Sequence, residues 1–206
     1  MTPSVERLGE YLLDKFEARL DFYDRLSLFF TVTGEKPGAL IQFLDPERGK
    51  ELENFCDEFG LEYRSFETEL HTKYYVTRNE ELFQYLEKVD EDEPFHNKES
   101  EGDFLGYPRN AINFFVENSG KRDLDRRMNE KIDEMLESGK LDEEDLHLLD
   151  LVMFIPELTD QGIRQAVEIG EKRREQMRQF DRTHESDLGE KLLDEVFNRS
   201  EPYFRS

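Results

Sequence analysis

Acidic side chains run the length of this chain instead of gathering in one tail, and they leave few positions from which a core can be built. Asp and Glu number 50 against 28 Lys and Arg, a formal net charge of −22, while hydrophobic residues make up only 36%. Size offsets that shortage. There are 17 Phe and 8 Tyr, and an aromatic side chain buries about 150–250 Å². A packed core is therefore expected, and the regular apolar spacing described below argues against disorder. The length, 206 residues, suits one ordinary domain or one domain with a helical extension.

The charge also limits partners. Phosphate backbones are bound by clustered Lys and Arg, and no dense basic stripe occurs. The nearest are Lys121-Arg122 with Arg126-Arg127, and Lys172-Arg173-Arg174 with Arg178. Both are interleaved with Asp and Glu, a pattern of helix-surface pairing. Nucleic acid and anionic membrane surfaces are therefore not expected as partners. The spread of carboxylates, with Arg exceeding Lys, suggests adaptation to molar salt, as in a halophilic archaeon, because self-repulsion is then screened within a few ångström. No run approaches the apolar length of a membrane helix, and Met1-Thr2-Pro3-Ser4 begins no signal peptide. A cytoplasmic location is expected.

Apolar periodicity predicts a helix over 3–23, on Val5, Leu8, Leu12, Phe16, Leu20 and Tyr23. The nearly continuous bulk of 26–33, closed by Gly34, predicts a central strand. Asp45-Pro46 reads as a helix start, with Leu52, Phe55, Cys56 and Phe59 on one face. Residues 61–70 and 73–77 predict two strands in a hairpin around His71-Thr72, and Asn79 a cap for a short helix. Acidic residues 90–101 read as a surface linker. Beyond them, helices are expected from Pro108, over 124–136, from Asp160, and over 188–197. The apolar run 146–155 is either helix or strand by periodicity, and Pro156 favours a strand at 150–155.

The fold class expected is thus α/β (α+β): a small mixed sheet of about four strands flanked by helices, with a C-terminal helical extension. Residues 1–89 form an α/β half and 102–206 a mainly helical half, packed with the first as one domain.

Catalytic signatures are absent: there is no P-loop, G-x-G-x-x-G, G-x-S-x-G or H-E-x-x-H. His71, His96, His147 and His184 share no ligand spacing, and the lone Cys56 sits on an apolar stripe, as a structural thiol does. No metal or cofactor is expected. The most informative stretch is Gly102-Asp103-Phe104-Leu105-Gly106-Tyr107-Pro108. Pro108 sets a helix entry whose free amides attract an anion, with Tyr107, Arg109, Asn110 and Asn113 around it. Lys36 and Asp103 complete the candidate ligand-binding set with Gly106. The alternative is a tight turn that anchors Phe104 and Leu105.

Gly-x-Phe-Leu-Gly-Tyr-Pro followed by a Phe-rich helix resembles an uncharacterised archaeal family of α/β proteins. Lys36-Pro37, and Phe154-Ile155-Pro156 leading into Ala166-Val167-Glu168-Ile169-Gly170, fit the same pattern. The resemblance implies cysteines after the Tyr-Pro turn and after the second Pro. Asn110, Ala111 and Glu157 stand there instead, so that metal-like arrangement is missing. The functional expectation is a protein that binds a small anionic ligand or a protein partner without catalysis. The alternatives are an enzyme acting on a small anionic metabolite, through Lys36, Asp103, Tyr107 or Arg109, and a scaffold or oligomerisation protein.

Overall fold

The computed structural model describes residues 4–17, 19–43, 49–67, 71–87 and 98–198. It divides into two compact units, Met1–Gly106 and Tyr107–Ser206.

The first unit begins with α1 (Val5–Gly9), capped by Ser4, which runs into a π-helical turn over Glu10–Lys15. The helix expected over 3–23 therefore stops at Phe16, whose N–H reaches back to the Tyr11 carbonyl at 2.9 Å. A second helix, α2 (Phe22–Thr33), starts on the Asp21 cap and ends at Gly34 in the left-handed region. This corrects the strand predicted over 26–33. Leu26, Leu28, Phe29, Phe30 and Thr31 are all buried, so α2 is enclosed on most sides. A helix buried all round loses the one-sided pattern that marks it in sequence.

Three strands form the sheet: β1 (Gly38–Phe43), β2 (Glu62–Glu67) and β3 (Thr72–Thr77), in the order β1-β3-β2. Both pairings are antiparallel, with Gly38 and Glu62 opposite Thr77. Among the described residues the sheet is thus three-stranded and antiparallel, where about four strands in a mixed sheet were expected. The two hairpin strands stand close to the 61–70 and 73–77 expected for them, and β1 was not foreseen. Helix α3 (Gly49–Phe59) buries Leu52, Phe55 and Cys56. Its expected start at Asp45-Pro46 lies outside the described residues.

Tyr11, Phe16, Phe55 and Phe59 pack edge-on or tilted with ring centroids 4.7–6.0 Å apart. Aromatic bulk thus supplies the core that a charge-rich chain lacks elsewhere. After β3, Asn79 caps a 3₁₀ turn (Glu80–Phe83) that continues as α4 (Gln84–Glu87). Of the acidic linker, residues 90–97 lie outside the described set, and 98–101 open α5 (Lys98–Leu105).

The second unit is helical: α6 (Arg109–Asn118), α7 (Leu124–Glu137), α8 (Glu143–Asp150), α9 (Asp160–His184) and α10 (Leu188–Phe197). Met128, Ile132, Met135, Leu146, Leu149, Val152, Ile163 and Ala166 form its core. Helices α8 and α9 approach closely at Gly170, where an added Cβ would lie 2.1 Å from the Leu148 carbonyl oxygen.

The strand expected at 150–155 is absent. Residues 146–150 belong to α8, and the chain then turns through Met153, a non-glycine residue at φ 59°. Buried Arg173 on α9 donates to the Leu151 and Val152 carbonyls, both at 2.5 Å. Those two carbonyls are satisfied by a side chain instead of a neighbouring strand.

Candidate functional site

In the first unit the end of α5 is pressed onto the segment before β1. Gly106 adopts φ 71°, and a Cβ there would lie 2.4 Å from Pro37 Cγ. Gly38 answers from the other side, where a Cβ would lie 2.5 Å from Phe104 Cε1. The Pro37 carbonyl accepts from Thr77 Oγ1 at 2.7 Å. Packing thus accounts for Gly106, Phe104 and Leu105 in this turn. Asp103 is half-buried.

Lys36, next to Pro37, is only 3% exposed, and its Nζ donates to Ser27 Oγ at 2.7 Å. One turn earlier on α2 stands Asp24. Burial, and then the Asp21 carboxylate, push its carboxyl up to about 7, against the pull of Lys36.

The remaining candidates belong to the second unit. Pro108 leads into α6 with no side-chain cap on the first turn. Arg109 and Asn113 are exposed, one turn apart. The Tyr107 ring packs on Phe154 at 5.4 Å between centroids. Asn110 Nδ2 donates to Gln165 Oε1 at 3.1 Å and Glu157 Oε2 at 3.4 Å. Tyr107 and Asn110 are therefore brought together with the Pro156 segment, which is a turn and no strand end.

Pro108, Asn110, Phe154, Pro156, Glu157 and Gln165 line a crevice too tight to admit a water molecule. Gln165 also lines an open groove of about 590 Å³ along α9, with Asp160, Gln161, Arg164 and Glu168. The Asp160 carboxylate is held by Lys131 at 2.7 Å and Lys140 at 2.6 Å. Hydrogen bonds from these two ammonium groups lower its carboxyl to about 2. Behind the turn, desolvation lowers the Arg173 guanidinium to about 10, opposed by Tyr107.

Ser27 and Asp24 were missed because α2 was read as a strand, although their i, i+3 spacing is helical. Gln161-Gln165 and Asp160-Arg164-Glu168 repeat at four residues and could have marked one face of α9. Arg173 was read with its neighbours as surface pairing. Arg174 does pair with Glu144 and Glu171, and Arg178 with Glu190, but Arg173 is buried.

Cys56 is fully buried, and burial, then Asp57 and Glu53, push its thiol well above the usual range. Among the described residues no three His, Cys, Asp or Glu side chains converge as a metal site would require. No described helix is long and apolar enough to cross a membrane. No protein-family model, curated protein or solved structure matches this chain.

Proposed function

We propose that this protein binds a small anionic ligand, without transforming it, at the start of α6 and the adjoining groove along α9. One observation carries the proposal. Every other described helix of eight residues or more has an acidic side chain in its first turn. The first turn of α6 has none, has no side-chain cap, and bears the exposed Arg109. Carboxylates at a helix start satisfy its positive end, and at α6 that role is left to an incoming anion.

The groove supports the same reading. Arg164 offers a guanidinium, Gln161 and Gln165 offer amides, and Asp160 is neutralised by two lysines. The setting proposed is a salty cytoplasm, supported by the net charge of −22. A protein partner is the second reading. It is favoured by Val116 on α6, a large apolar side chain 45% exposed, with half-buried Phe114 and Phe115 beside it.

A charge-assisted bond to Arg109 contributes roughly 1.5–3 kcal/mol. Calorimetric titration with inorganic phosphate and with citrate, at fixed potassium chloride, tests it. Arg109→Ala is expected to weaken binding about 10-fold or more, with the melting temperature nearly unchanged. Lost stability with unaltered binding would leave the turn as architecture alone.

A further inference from the structure

Arg164 stands exposed on the side of α9 that lines the open groove, with Gln161, Gln165 and Glu168. Side chains four positions apart are neighbours on a helix, so Asp160 and Glu168 are the carboxylates placed to pair with it. Neither does. Asp160 is held by Lys131 and Lys140. Glu168 follows Arg164 in the chain, the less favourable order for an ion pair along a helix, and among the described residues the two make no bond.

The other arginines of α9 all have acceptors. Arg173 donates to the Leu151 and Val152 carbonyls, Arg174 pairs with Glu144 and Glu171, Arg178 with Glu190, and Arg182 with Glu175. On this helix, in a chain of net charge −22, a guanidinium with no carboxylate is the exception.

Two amides extend its donor character. Gln165 Oε1 accepts from Asn110 Nδ2 at 3.1 Å, and its NH₂ end has no acceptor among the described residues, as is true of Gln161. Gln161, Arg164 and Gln165 thus offer N–H donors on one face of α9, the groups that bind carboxylate oxygens. The Asn110 contact also ties this face to the first turn of α6, where Asn110 follows Arg109.

We propose that Arg164 is a second anion anchor and that the ligand class is a dicarboxylate. One carboxylate lies at the start of α6 beside Arg109. The other lies on Arg164, with Gln161 and Gln165 donating to its oxygens. This rests on the anion binding proposed above and goes beyond it by fixing the number of anionic groups.

Amide NMR titrations of the full chain with acetate, succinate, glutarate and adipate, at constant potassium chloride and pH, test the second anchor. Inorganic phosphate serves as the control for α6. The best dicarboxylate should bind about 10-fold or more tighter than acetate, as one further charge-assisted bond would provide. Arg164→Ala should remove that advantage and leave the phosphate shifts at Arg109 and Asn110 in place. Its melting temperature should hold, because Arg164 has no partner to lose among the described residues. Dicarboxylates no tighter than acetate, with phosphate still bound at α6, would overturn the second anchor alone. An advantage that survives Arg164→Ala would overturn it too. Saturable shifts from none of these anions would overturn both readings.

Discussion

Gly106 closes directly on Pro37: a Cβ at position 106 would stand 2.4 Å from Pro37 Cγ, nearer than any real side chain approaches. The contact joins two segments 69 positions apart, as read from their numbers. It also explains why the turn after α5 takes a glycine. The backbone is left-handed there, at φ 71°, and the neighbouring ring leaves no room for a methyl group.

Gly106→Ala should therefore destabilise the first unit by about 2 kcal/mol or more, combining left-handed strain with overpacking. Urea unfolding followed by tyrosine fluorescence measures it. An unchanged midpoint would mean that Pro37 moves aside freely.

A second anchor lies in the other unit. The Asp181 carboxylate accepts from Ser186 Oγ at 2.7 Å, Gly189 N at 2.9 Å and Glu190 N at 2.8 Å, and so caps the start of α10. Asp181→Ala should cost about 2 kcal/mol and speed amide exchange through α10. Asp181→Asn, which keeps one acceptor oxygen, should cost less. Equal exchange rates in all three proteins would show that the cap is dispensable.

These anchors mark where sequence patterning stops informing. Helices α7, α9 and α10 were legible because each alternates one apolar stripe with a charged face. Strands β2 and β3 were legible because bulky residues bracket a turn. Helix α2 was not, since Leu26, Leu28, Phe29 and Phe30 put buried apolar bulk on several sides of it, and only Asp21 and Gly34 mark its ends. The stretch 150–155 was misread as a strand because the Leu151 and Val152 carbonyls are satisfied by Arg173, 22 and 21 residues away. Of the candidate site, the helix entry at Pro108 was legible. The α9 groove and the Lys36–Ser27 pair depend on tertiary placement that no local pattern encodes.

Asp160 supplies a pH test at the groove. Its folded carboxyl lies below the ordinary value because Lys131 and Lys140 hold the charged form. The resulting stabilisation is present above about pH 4 and is lost as the pH falls through about 2. Asp160→Asn should therefore lower the melting temperature at pH 7 and lose that effect towards pH 2. A difference that persists undiminished in acid would assign the loss to something other than the ion pairs.

Salt should act on the whole chain. With a net charge of −22, repulsion is relieved once the screening length falls to about 3 Å at molar ionic strength, and excluded salts strengthen apolar burial. Thermal melts should shift upward steeply between low and molar potassium chloride. A flat or falling midpoint would contradict salt adaptation.

The most direct test of anion binding is an amide NMR titration of the full chain with inorganic phosphate, at constant potassium chloride and pH. Saturable shifts are expected at Arg109, Asn110 and Ala111 and along Gln161–Gln165, and they should be absent in Arg109→Ala. Shifts that grow linearly, or that scatter over every exposed Lys and Arg, would contradict a site at α6.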